Sequence, residues 1–256
     1  MDSILQNGEM DDAHKLVALD LLTAVNSSLY AVNPDLMVSS VLKIMRWSLK
    51  YGTSEHTCRS LGVFALVDFA LGTVKTAQKP CKLAIELAKK QNLMETQHAP
   101  ISAAYGFVLP WIEPMSGRAK ELYLGYQIGC ETGDLEFGMM NIALYGFFCF
   151  SIGKPLSNLE ADFADYSKQM QDCNMELQRN FLCLTWQIVL NLLGRSDDSI
   201  SMDGEAMSED AMLATAKEAN NPPLRAQLYC HKLQLCVYFG NFELGATMLS
   251  ETGKID

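Results

Sequence analysis

Apolar residues recur along the chain at three- and four-residue spacing, in segments punctuated by Gly, Pro and Asn. No stretch alternates apolar and polar residues between hairpin turns, so the pattern predicts an all-α fold. Helices are expected at 12–31, 34–51, 54–71, 74–91, 97–110, 116–131, 135–152, 157–173, 175–193, 208–219, 223–239 and 242–251. Asn33-Pro34 reads as a helix cap followed by proline in the first turn, and Ser157-Asn158-Leu159-Glu160 has the spacing of a capping box. Two segments lack a polar face. "NIALYGFFCFSIGKP", residues 141–155, carries no charge before Lys154, and "FLCLTWQIVLNLL", residues 181–193, carries none at all. Between them lies the strongly polar "SNLEADFADYSKQMQD".

Short connections force successive helices to lie antiparallel, so the chain is expected to advance as helical hairpins. The end of the chain, "CVYFGNFELGATML", has a turn at Gly240 followed by the small Gly245, the turn and second helix of a tetratricopeptide repeat. "FALGTVKTAQKPCKLAIELA" repeats the pattern, with Gly72 in the turn, Ala77 in the position of Gly245, and Cys81 and Ala84 beyond it. Further turns fall near Pro114 and at Gly153 and Gly194, a spacing of roughly 40 residues. Small residues at Gly72, Ala77 and Gly245 are expected where helix backbones approach closely. The expected architecture is a right-handed, tetratricopeptide-like α-solenoid of antiparallel hairpins. In such a stack the first helix of each hairpin is covered on all sides, which accounts for 141–155 without a membrane: the run is short of a span, contains Asn141 and lacks a basic flank beyond Lys154. The expected limits are a flexible acidic tail at 1–11, a single repeat domain at 12–252 with a mobile acidic loop at 195–210, and a flexible tail at 253–256.

Composition narrows the function. A chain of 256 residues with a net charge of −10 is poorly suited to nucleic acid or an anionic membrane, and a partner with basic groups suits it better. Its 8 cysteines, scattered through apolar segments without a CxxC pair, read as reduced core residues of a cytoplasmic protein. No phosphate-binding loop, dinucleotide fingerprint, nucleophile elbow or HExxH pair occurs. Gly153-Lys154 is followed by Pro155, where a phosphate loop would place Ser or Thr. Cys230, His231 and Cys236 are not at the helical spacing that puts ligands on one face, and His231 is expected to be partly exposed. His14, His56 and His98 read as surface or cap residues. Glu131, Asp134 and Glu136 fit a helix-terminating turn and an acidic first turn. No catalytic residue, cofactor or metal is expected. Trp111, between Pro110 and Pro114, is expected to pack between repeats, with an aromatic anchor on a binding surface as its competing role, and Asp162 and Asp165 form a candidate acidic contact face. The expected partner is a polypeptide, and the composition leaves room for a small-molecule ligand.

"WSLKYGTSEHTCRSLGVFALVDFALGTVKTAQKPCKLAIELAKK", "GFVLPWIEPMSGRAKELYLGYQIGCETGDLEFG" and "RNFLCLTWQIVLNLLG" carry a resemblance. From about residue 16 to 195 the chain resembles the helical-repeat region of very large multidomain signalling proteins of cyanobacteria, diatoms and fungi. Ser48-Leu49-Lys50-Tyr51-Gly52 and Glu131-Thr132-Gly133-Asp134-Leu135-Glu136 are its most specific motifs. In those proteins the region follows a serine/threonine-kinase-like domain and an AAA-type ATPase domain, and precedes GAF and sensor histidine-kinase or cyclase modules. The resemblance implies a regulatory helical array whose partner is another domain of the same assembly. Neither the ATPase nor an output domain lies in this chain, so it transfers no catalytic residue.

Overall fold

The computed structural model describes residues 2–72 and 74–252; the expected tail at 253–256 lies outside the described residues. The described residues form twelve α-helices: α1 (Ala13–Val32), α2 (Pro34–Tyr51), α3 (Glu55–Ala70), α4 (Val74–Lys90), α5 (Met94–Val108), α6 (Ala119–Thr132), α7 (Leu135–Ser151), α8 (Leu156–Asp172), α9 (Glu176–Leu192), α10 (Glu209–Glu218), α11 (Pro222–Tyr238) and α12 (Phe242–Thr252). Short 3-10 segments occupy Asp2–Gln6, Leu109–Trp111 and Met115–Gly117, and no strand forms among the described residues.

Local chemistry sets the helix ends. Asn33 Oδ1 accepts from Leu36 N at 3.1 Å with Pro34 in the first turn, and Asn221 does the same for Leu224 N at 3.1 Å ahead of Pro222. Gly153 closes α7 at φ +79°, which lets Lys154 N reach back to Cys149 O at 3.0 Å. That turn overrides the expected capping box. Pro155, at φ −54° and ψ 126°, becomes the residue before α8, Ser157 falls inside the first turn, and no side chain caps the helix.

The chain divides into two compact units, Met1–Leu144 and Tyr145–Asp256. In the first, each helix from α1 to α6 packs on its successor, and α1 also touches α3 while α3 touches α5. Met45 of α2, Leu61 of α3, Leu87 of α4 and Ile101 of α5 share its main core. In the second unit α8 packs on α9, and α11 packs on α9, α10 and α12. Helix α5 is buried on nearly every side, and α9 is buried continuously from Leu182 to Asn191. By contrast α8 buries one stripe, Leu159, Phe163, Ser167 and Met170. The uncharged run 181–193 is thus largely an interior helix, while in 141–155 Asn141, Ile142, Ala143, Gly146, Phe148 and Cys149 are buried and residues 151–155 are exposed. Among the described residues no helix is long and apolar enough to cross a membrane.

Two segments expected to be flexible are packed. Residues 2–10 insert Ile4 and Met10 into the core, Asn7 Nδ2 donates to Ser48 O and Leu49 O at 3.1 Å each, and Met10 N donates to Thr53 O at 2.8 Å. Ile4, Leu5 and Met10 dock an otherwise polar stretch. The 195–210 segment buries Ile200, Met202, Ala206 and Met207. Asn191 Nδ2 donates to Ser199 O at 3.1 Å and Ser201 O at 2.7 Å, and Gln187 Oε1 accepts from Ala206 N at 3.2 Å. Its acids stay on the outside or cap backbone, as Asp203 does for Glu209 N at 2.8 Å.

Ala77, Cys81 and Ala84 are fully buried on α4. Ala77→Leu is therefore expected to cost roughly 1–3 kcal/mol by overpacking. Glu205→Gln, which removes only the exposed pair with Arg195 at 2.8 Å, should stay within about 0.5 kcal/mol of wild type. Thermal unfolding of the two variants side by side checks the contrast.

Candidate functional site

The small residues divide into two roles. Gly72, Gly153, Gly194 and Gly240 all have positive φ, and a Cβ added at any of them would meet nothing within 4 Å, so they serve the turns. Gly72, expected at a close helix crossing, is not at one. Gly245 is: its Cβ would lie 3.3 Å from Leu233 Cδ1 and 3.4 Å from Cys236 Cβ. The tightest approaches sit elsewhere, at glycines the sequence pattern did not single out. A Cβ on Gly129 of α6 would lie 2.5 Å from Gly138 Cα of α7, one on Gly125 would lie 2.3 Å from Ser102 Oγ, and one on Gly146 would lie 2.4 Å from the Phe163 ring. Beneath Gly125 a buried polar knot ties α5 to α7. Asn141 Nδ2 donates to Ala99 O and Phe137 O, each at 2.8 Å, and Asn141 Oδ1 accepts from Ser102 Oγ at 2.8 Å. The asparagine that argued against a membrane span is a fully satisfied core clamp.

Trp111 is the feature that points outward. It is 70% exposed at the end of the 3-10 segment that follows α5, with its ring 5.8 Å from that of Phe69, and Leu71, two residues after Phe69, is 77% exposed. It does not pack inside the core, as a spacer between repeats would. Ile112 and Phe69 instead cover the cluster of Ala65, Ala77, Cys81, Tyr105 and Val108, and Trp111 rides on that cover. The turn bearing it is fixed by polar contacts: Glu113 accepts from Gln78 Nε2 at 2.6 Å and from Arg118 at 3.0 Å, while the Arg118 guanidinium lies 5.3 Å from the Tyr105 ring centre. A large aromatic side chain held on a braced turn can anchor a partner at low cost in conformational entropy.

Asp162 and Asp165 are exposed on α8 of the second unit, while Glu160 of the same helix pairs with Arg195 at 2.8 Å. Of the carboxylates near the α6–α7 turn, Asp134 forms an ion pair with Arg59 of α3, whose guanidinium also lies 5.1 Å from the Phe137 ring centre. The pair tethers that turn to α3, a role that turn and helix-dipole chemistry alone did not foresee. Cys58, Cys81, Cys149, Cys183 and Cys236 are buried, whereas Cys230 is exposed. Burial pushes the Cys58 and Cys81 thiols up to about 12, so neither is a nucleophile at neutral pH.

Three histidines are more enclosed than expected: His56, His98 and His231 are buried. His231, expected to be partly exposed, stacks on Phe147 with ring centres 6.1 Å apart. Burial depresses its pKa from 6.5 to about 4. The unfolded chain therefore takes up a proton first as the pH falls. Stability should be lost progressively between about pH 6.5 and about pH 4, by about 3 kcal/mol in all. Urea unfolding across that window should show the slope, and His231→Gln should flatten it.

Compared with known proteins, the chain matches no family model, no curated protein and no solved structure.

Proposed function

We propose that this chain is a non-enzymatic, tetratricopeptide-like scaffold that binds a polypeptide, with Trp111 as a principal anchor. The repeat reading is supported by contacts that skip one helix, α1 to α3, α3 to α5 and α9 to α11, together with the all-round burial of α5 and α9 against the one-sided burial of α8. A stack of hairpins produces this alternation, because first helices touch each other and second helices face outward. The observation that carries the binding reading is the exposed Trp111 on its braced turn beside Phe69. The net charge of −10 favours a segment with basic groups around an apolar residue. Affinity capture from the source cell, at low salt and at about 1 M salt where screening falls to about 3 Å, tests this. One polypeptide should be recovered in quantity by wild type at low salt and at least about tenfold less by Trp111→Ala. Equal recovery by both would refute the anchor.

A second reading has its own support. The regulatory middle segment of a multidomain signalling kinase, with ATPase and kinase domains outside this chain, would have neighbours against its terminal helices. Val17, Leu21 and Val25 make an exposed stripe at four-residue spacing on α1, and Phe242 and Leu249 are exposed on α12. Stand-alone arrays end in repeats with polar outer faces. Flanking ATPase and kinase sequence in the full reading frame would support this reading, and its absence would leave the stand-alone scaffold. On either reading the purified chain should not hydrolyse ATP above a buffer control, and saturable magnesium-dependent turnover surviving repurification would contradict both.

A further inference from the structure

Asp20 of α1 and the adjacent Glu55 and His56 at the start of α3 bring one donor atom each to within 4.8 Å of one another. We infer that these three residues bind a first-row divalent transition metal, Zn²⁺ best, which clasps α1 to α3; this is independent of the polypeptide-binding reading. His56 is buried with both ring nitrogens addressed: Nδ1 lies 3.4 Å from Thr23 Oγ1 and Nε2 lies 3.1 Å from Asp20 Oδ1. With its proton on Nε2 the imidazole donates to Asp20; a divalent cation would displace that proton and leave Nδ1–H to donate to Thr23 Oγ1. Nε2 and the Asp20 carboxylate would then both face the ion, and their 3.1 Å separation is a few tenths of an ångström short of the roughly 3.4 Å between ligands of a tetrahedral zinc with bonds near 2.1 Å.

The surroundings supply a separate pointer. Gln97 of α5 is 5% exposed and its Nε2 stands 3.5 Å from Glu55 Oε2, while its Oε1 is buried with no hydrogen-bond partner. Rotating that carboxamide by half a turn would bring the orphaned oxygen to the place of Nε2, 3.5 Å from Glu55 Oε2, where it can accept from a water bound to the ion. Thr23 behind the imidazole can accept from Nδ1–H, as outer partners of metal-bound histidines do. Asp20 and Glu55 are exposed, so the ion has a path from solvent. One imidazole and two carboxylates suit zinc, whereas magnesium prefers an all-oxygen octahedron.

The test uses the full chain carrying Cys230→Ser, which removes the exposed thiol as a competing ligand. After chelator treatment and desalting it is titrated with ZnCl₂ by calorimetry and followed by thermal unfolding, with MgCl₂ in parallel. One equivalent of zinc should bind and raise the unfolding temperature, with no response to magnesium. Asp20→Asn and Glu55→Gln, at exposed positions that leave the core intact, should each abolish the zinc-dependent rise. Thr23→Val should weaken binding roughly 10–100-fold. A zinc response of the same size in Asp20→Asn and Glu55→Gln as in the parent, or no saturable response in the parent, overturns the site.

Discussion

Gly129→Ala is expected to destabilise the protein by about 2–3 kcal/mol, even though alanine is the better helix former by roughly 1 kcal/mol. The new methyl would sit 2.5 Å from Gly138 Cα and 2.8 Å from Gly138 N. Both are backbone atoms of α7, and no side-chain rotation can move them aside. Helices α6 and α7 would have to separate, and every contact flanking the crossing would loosen with them. In a chain of this size the loss corresponds to a fall in unfolding temperature of about 5–10 °C. Gly117→Ala supplies the contrast, because a Cβ there meets nothing within 4 Å and its φ is unstrained. It should melt within a degree or two of wild type, on the order of the change expected at surface positions. Similar melting of the two variants would mean that α6 and α7 do not cross at these glycines.

Asn141→Leu should cost about 3 kcal/mol although it exchanges a polar core residue for an apolar one of similar volume. The substitution removes donors from Ala99 O and Phe137 O and the nearer of the two acceptors of Ser102 Oγ, the other being Ala99 O at 3.1 Å. Ser102→Ala in wild type should cost less, since it deletes one partner and Asn141 keeps both carbonyl contacts. In the Asn141→Leu background Ser102→Ala should cost less than in wild type, because the hydroxyl has lost the amide and keeps only Ala99 O. A double-mutant cycle with a coupling of about 1 kcal/mol or more verifies the knot, and strict additivity would deny it.

The contrast between these two sites shows what a one-dimensional reading reaches. Helix limits were legible because they depend on local signals: Asn33-Pro34 caps α2 as expected, and Gly153 and Gly194 end their helices as expected. The uncharged segments were legible as largely interior helices because an apolar stretch too short for a span has few other places to go. Contacts that require knowing which helix lies beside which were not legible. Gly129 and Gly138 look like ordinary helical glycines until α6 and α7 are side by side, and Arg59 meets Asp134 from 75 residues away. The 195–210 segment was misread because its acids dominate its composition, while its fold depends on four buried apolar residues and two amides of α9. Asp20 and His56 gave no ligand spacing because α1 and α3 bring them together only in the fold. For Trp111 the sequence favoured packing between repeats, and its 70% exposure, which depends on where the turn ends up, was not legible.

That exposure also offers the most direct test of the scaffold account. A photoreactive benzoylphenylalanine placed at position 111, and separately at the exposed position 197 of the acidic segment, should be irradiated in the source cell. Position 111 should yield one discrete covalent adduct with a polypeptide, which position 197 does not give and which about 1 M salt applied before irradiation diminishes. No adduct at 111, or the same adducts at both positions, would contradict the claim that this chain works by holding a polypeptide at the Trp111 turn.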